Sequence, residues 1–154
     1  RSSAASDVYK RQSLKELNMD RRESLLGLLT LAVAARGEGA GTTWPDTVLT
    51  LETAKTEKHP FGELTVFCDG KTSQLKSMVA GSLLLYPGQE PHPPHQHPEE
   101  EIMIVTEGQG TILVAGKNRE VAPGALMYCE ANHLHGVKNT GSKPLRFYYM
   151  KWLA

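Results

Sequence analysis

The stretch from Gly88 to Glu101, Gly-Gln-Glu-Pro-His-Pro-Pro-His-Gln-His-Pro-Glu-Glu-Glu, constrains this chain more than any other. An extended segment sends successive side chains to opposite faces, so residues two and four apart share one face. By that parity His95, His97 and Glu101 fall together, and Glu100 points the other way. Glu99 keeps the right parity and stays a competing carboxylate. Two imidazoles and a carboxylate aimed at one point make part of a metal site with borderline-hard donors. A further donor has to come from elsewhere in the chain. The best placed is His135, in Asn132-His-Leu-His-Gly-Val-Lys-Asn139, since five of the six histidines lie between residues 92 and 135.

The rest of the chain reads as short strands. Nine prolines and fourteen glycines make turns frequent, which suits strands better than long helices. Strands are expected over Trp44–Leu51, Leu64–Phe67, 75–86, 101–106, 110–115, 120–129, 134–139 and 145–152, with Asp69-Gly70 as a hairpin turn. Regular turn spacing of this kind predicts an all-β sandwich or barrel over residues 44–154. From Glu101, parity carries Met103 and Val105 inward; on the last strand Phe147 and Tyr149 are read as the inward pair. Met103, Phe147 and Tyr149 are therefore the expected wall of a substrate pocket, with ordinary core packing as the alternative. Seventeen basic residues balance seventeen acidic ones, so no net field favours nucleic acid or an anionic membrane. Gly108-Gln-Gly110 lacks the helix that a phosphate-binding loop requires. Cys68 and Cys129 could pair in an oxidising compartment, but buried free thiols are the simpler expectation.

The histidine motifs resemble those of the cupin superfamily. The first reads Gly88, six residues, His95-Gln-His97, three residues, Glu101, six residues, Gly108; the second reads Gly116, Pro123-Gly124, His135, three residues, Asn139. Pro123 and Gly124 are adjacent where the written family motif separates them by one residue, and one loop differs in length by one. The resemblance spans residues 75–152. It implies a single antiparallel cupin-type β-barrel (jelly roll) and one divalent transition metal ion, whether Mn, Fe, Ni, Cu or Zn. The implied ligands are His95, His97, Glu101 and His135, the family spacing selecting Glu101 over its two neighbours. His92 and His133 become bystanders at the pocket mouth. It also implies a small-molecule ligand or substrate and a homodimer. Three functional readings follow: a metal-dependent enzyme acting on a small oxygen-rich metabolite that chelates the ion, as dioxygenase, isomerase, decarboxylase or aminohydrolase; a ligand-binding module without turnover; or a barrel in which the metal is purely structural. Fold alone does not choose among them.

The front of the chain carries different expectations. Residues 1–18 read as a non-native or disordered leader, Asp7–Gln12 resembling a translated sequencing adapter, with a start at Met19. Residues 19–35 read as an export signal: Arg21-Arg22 resembles a twin-arginine pair, an apolar run follows, and Ala32-Val33-Ala34 offers a cleavage site. That run is too short for a membrane-spanning helix, which needs about 20 apolar residues. The expected location is therefore periplasmic or secreted. Residues 36–43 are a Gly-rich linker.

Overall fold

In the computed structural model residues 44–154 are described; the leader, the export signal and the linker lie outside the described residues. Those described form nine strands and no helix. The strands are β1 (Lys55–His59), β2 (Gly62–Gly70), β3 (Ser77–Leu85), β4 (Glu100–Glu107), β5 (Gly110–Val114), β6 (Lys117–Val121), β7 (Leu126–Cys129), β8 (Gly136–Lys138) and β9 (Leu145–Leu153). A six-stranded sheet runs β1-β2-β3-β9-β4-β7 and a three-stranded sheet runs β6-β5-β8. Every ladder is antiparallel. This is the all-β jelly roll expected.

Alternation makes the core. On β4 Glu101, Met103 and Val105 are buried, while Ile102 and Ile104 lie on the other face. Their cross-strand partners Phe147 and Met127 are buried too, because directly opposed residues share a face. Ile112 and Val137 of the smaller sheet complete the cluster with Leu64, Leu83, Leu85 and Leu145. Burying one such aliphatic side chain contributes about 1.5–3 kcal/mol. The β5–β6 hairpin closes with Ala115-Gly116, at φ 50° and 70°, the left-handed pair that a two-residue turn between twisted strands requires.

Three local expectations are corrected. Residues 44–51 form no strand; the Thr50 and Thr53 hydroxyls and backbone build a turn instead, with Ala54 N–H donating to the Thr50 carbonyl at 3.0 Å. The edge strand is β1, whose Lys-Thr-Glu-Lys-His sequence has no apolar alternation to betray it. Asp69-Gly70 is no turn: both residues pair with β3, and the reversal lies at residues 71–76, where the Thr72 hydroxyl accepts from the Gln74 and Leu75 amides. Finally, the strand expected over 120–129 is broken into β6 and β7 by the Pro123-Gly124 turn, Gly124 having φ 94°.

Candidate metal centre

The two histidine-bearing segments meet by backbone pairing. His95 and His135 form an isolated antiparallel bridge, each N–H donating to the other's carbonyl at 2.9 Å. The pairing continues on either side. Asn132 N–H donates to the His97 carbonyl at 2.7 Å, Asn139 N–H to the Gln89 carbonyl at 2.9 Å, and Gly88 N–H to the Asn139 carbonyl at 3.0 Å. The loop after β3 thus runs antiparallel to the chain around β8 and delivers His95 and His97 against His135. Asn139 is fully buried and pins this crossing: its Nδ2 donates to the Leu85 and Lys143 carbonyls at 2.9 Å each, and its Oδ1 accepts from Gly141 N–H at 3.0 Å.

One ring nitrogen from each of His95, His97 and His135 lies within 4.8 Å of the others. Glu101, buried at the start of β4, places Oε2 3.0 Å from Nε2 of both His97 and His135. The other nitrogens of those rings are engaged. His97 Nδ1 lies 3.0 Å from the Glu99 carbonyl and His135 Nδ1 2.9 Å from the His133 carbonyl. A carbonyl only accepts, so each Nδ1 carries a proton and each neutral ring turns an Nε2 lone pair inward. Backbone carbonyls fixing imidazoles in this way are the usual outer partners of metal-ligating histidines. His95 Nδ1 is buried without a hydrogen-bond partner.

The electrostatics follow from this crowding. Burial pushes the Glu101 carboxyl up, but hydrogen bonds from His135 and His97, donated by Nε2 when the rings carry a second proton, overturn that and hold it down at about 2. Burial likewise disfavours charge on His135, yet the bond to Glu101 and the His133 carbonyl leave its pKa raised; the Lys151 charge acts in the opposite sense. His95 is held down to about 4, first by burial and then by the positive charge its neighbours His92, His135 and His97 can carry. Two inward lone pairs facing one carboxylate is a repulsive arrangement unless positive charge sits among them. A second ring proton supplies it, and a divalent cation supplies it better. The donor set therefore fits a transition metal ion.

The neighbouring residues sort cleanly. Glu100 faces away, held by the Tyr128 hydroxyl at 2.8 Å and Trp152 Nε1 at 2.9 Å. Glu99 stands outside, its carboxylate 3.3 Å from His97 Nδ1, on the opposite edge of the ring from Glu101. His92 packs edge-on against His95 with ring centroids 4.1 Å apart. His133 is exposed beside Glu130 at 3.6 Å, and its carbonyl, not its ring, serves the site. Met103 and Phe147 are buried in the core cluster, and Tyr149 is half-buried above them. Both cysteines are buried free thiols, Cys129 Sγ lying 3.4 Å from His135 Nδ1.

Sequence reasoning missed two residues here. Gly81 is the seat of Tyr149: a Cβ there would lie 2.6 Å from the Tyr149 hydroxyl and 2.4 Å from the Thr65 carbonyl oxygen. Lys151 pairs directly with Glu101 across β4 and β9. It therefore shares the inner face with Glu101 and Tyr149. The parity that turned Tyr149 inward would have found it two residues on.

The jelly roll is of the cupin type, and it gathers three histidines and a carboxylate from two segments of the chain. Residues 81–151 match the family model described as Cupin domain. No curated protein matches the chain in sequence. Among solved structures, an RmlC-like cupin from Shewanella frigidimarina aligns with TM-score 0.59 and 16% identity, covering 71% of this chain and 93% of its own. A protein from Thermotoga maritima described as a predicted oxalate decarboxylase gives TM-score 0.58 and 21% identity, covering 70% and 100%. The polyketide cyclase RemF from Streptomyces resistomycificus gives TM-score 0.58 and 20% identity, covering 71% and 81%. At such identities the likeness is one of fold. Among the described residues no helix is long and apolar enough to cross a membrane.

Proposed function

We propose that this chain is a metal-dependent cupin enzyme acting on a small oxygen-rich metabolite, with His95, His97, Glu101 and His135 holding one divalent transition metal ion. The observation that carries this is the shared Glu101 Oε2, 3.0 Å from two imidazole nitrogens whose opposite edges are bonded to carbonyls. When bound, the ion would polarise a chelating oxygen as a Lewis acid or serve redox chemistry. The chain's own residues do the rest. The His133 and Glu99 carbonyls hold the rings in one tautomer, Asn139 fixes the crossing that brings the motifs together, and the apolar wall of Met103, Val105 and Phe147 excludes water beneath the site.

Metal content of purified variants tests the reading. His97→Ala and His135→Ala should lower occupancy sharply, while His92→Ala and His133→Ala should leave it near the parent value. Loss of metal from the second pair with retention in the first would sink the ligand assignment. The same proposal includes a homodimer, supported by the exposed apolar strip Ile104, Leu126, Tyr128 and Met150 on the outer sheet face, and export directed by Arg21-Arg22.

A further inference from the structure

We infer that the ligand of this site is a small carboxylate, its charge met by Lys151 and its polar end by the Tyr149 hydroxyl, an inference that rests on the metal reading above. The inner face of β9 changes character along its length. Leu145 and Phe147 are sealed in the core at 0% and 2% exposure, whereas Tyr149 and Lys151 are half-buried towards the histidine end. The register fixes what faces them: Val105 opposes Phe147, Met103 opposes Tyr149, and Glu101 opposes Lys151. A lysine is thus placed on the inner face of the barrel, directly across from the carboxylate of the metal centre.

Neither polar group is used by the fold. Among the described residues Lys151 takes part in no ion pair, all of which are formed by other side chains. The Tyr149 hydroxyl lies over Gly81, where only a missing Cβ leaves it room, and it makes no hydrogen bond among the described residues. Charge on it is strongly disfavoured, first by burial and then by Glu101, Asp69 and Cys68, so the phenol remains a donor. A half-buried lysine without an ion-pair partner is available to an incoming anion, which would gain a charge-assisted contact from it. Glu101, whose Oε2 is shared between two imidazoles, forms no ion pair with Lys151 among the described residues. A divalent ion bound there would satisfy Glu101 and leave the pocket with a net positive charge.

The number of cations sets the class of anion. One lysine and one phenol match a carboxylate, which accepts two charge-assisted hydrogen bonds. A phosphate group, with more charge and three terminal oxygens, is ordinarily met by several basic groups or a cradle of amides, and Arg146 is turned to the outer face toward Ser82 and Glu107. A chelating oxygen next to the carboxylate, as in a 2-hydroxy or 2-oxo acid, would let one small molecule meet both the ion and Lys151.

The probe is lactate, with lactamide as its uncharged counterpart, titrated calorimetrically into full-length protein loaded with one Zn2+. Lactate should bind at least about tenfold more tightly than lactamide, the size of one charge-assisted contact. Lys151→Met should abolish that preference and leave Zn2+ content at or above the parent value, since it removes a positive charge beside the ion. Lys151→Arg should restore much of the preference, which separates lost charge from lost fold. Equal binding of the two probes, no saturable lactate binding, or an unchanged preference in Lys151→Met overturns the carboxylate assignment. With Zn2+ content intact, any of these leaves the metal reading standing; loss of Zn2+ from parent protein overturns both.

Discussion

His95 and His135 exchange both of their backbone hydrogen bonds at 2.9 Å, so two residues forty positions apart are locked into one ladder before any side chain is considered. The imidazoles converge because the main chains are paired. The candidate metal centre is an outgrowth of main-chain pairing.

That dependence makes Asn139 a sensitive position. Asn139→Ala leaves the Leu85 and Lys143 carbonyls and the Gly141 amide without their partner in a fully buried place. We expect about 2–4 kcal/mol of lost stability, read as a lowered urea midpoint with unchanged slope. Metal content should fall as well, although Asn139 touches no metal ligand side chain. A midpoint within about 0.5 kcal/mol of the parent, the ordinary range for a surface change, would contradict the role assigned to it.

Acidification should release metal through the histidines and not through the carboxylate. The pKa of His135 is raised in the metal-free protein, so protons compete for its Nε2 as pH falls through the histidine range. Glu101, held at about 2, is still ionised there. Its folded pKa is depressed, so its contribution to stability is full above the ordinary carboxylate value of 4.5 and is lost progressively as pH falls from there through about 2. Competition with a chromophoric chelator across a pH series should show affinity falling with each step down. Flat affinity until the carboxylate range would assign the competing proton to Glu101 instead.

Tyr149 should be late to ionise. Burial, then the charges of Glu101, Asp69 and Cys68, push its phenol up to about 12 from the ordinary 10. Its folded pKa is raised, so the stabilisation is present below pH 10 and is lost as pH rises towards 12. Absorbance at the tyrosinate band should show a final step that Tyr149→Phe removes. If that variant leaves the last step in place, the phenol is not the shielded group described.

The outer strip should hold two copies together. Ile104 and Leu126 are direct partners across β4 and β7, 36% and 61% exposed. Leu126→Glu places a charge in that strip and should convert dimer to monomer by light scattering, with the metal content unaltered. A parent protein that is monomeric at micromolar concentration would remove the basis of the dimer.

Export is tested separately. Arg21→Lys with Arg22→Lys should block transport to the periplasm, since a twin-arginine pathway reads the guanidinium pair. Undiminished periplasmic accumulation of this double variant would dismiss the signal.

Strand alternation was the legible part. Met103, Phe147 and the buried side of β4 could be read from period two because each strand has one wet and one dry face. The charged edge strand β1 could not, since nothing in Lys-Thr-Glu-Lys-His distinguishes a paired edge from a loop. The histidine stretch was legible for a partly wrong reason. Parity over His95–Glu101 assumed one continuous strand, whereas β4 begins only at Glu100 and residues 96–99 belong to no strand. The convergence comes from the loop folding back on residues 132–139. That pairing is long-range, and no local pattern announces it. Lys151 was as legible as Tyr149, since it stands two residues further along the same strand and so shares its face.

The loop that carries His95 and His97 contains Pro87, Pro91, Pro93, Pro94 and Pro98. Each fixes one backbone torsion, which narrows the ensemble open to the loop whether or not an ion is present. Most of the ordering entropy is thereby surrendered during folding, and little of it remains to be lost when metal arrives. A site assembled this way should load quickly and with small structural change, its affinity drawn from rigidity as much as from the identity of its donors.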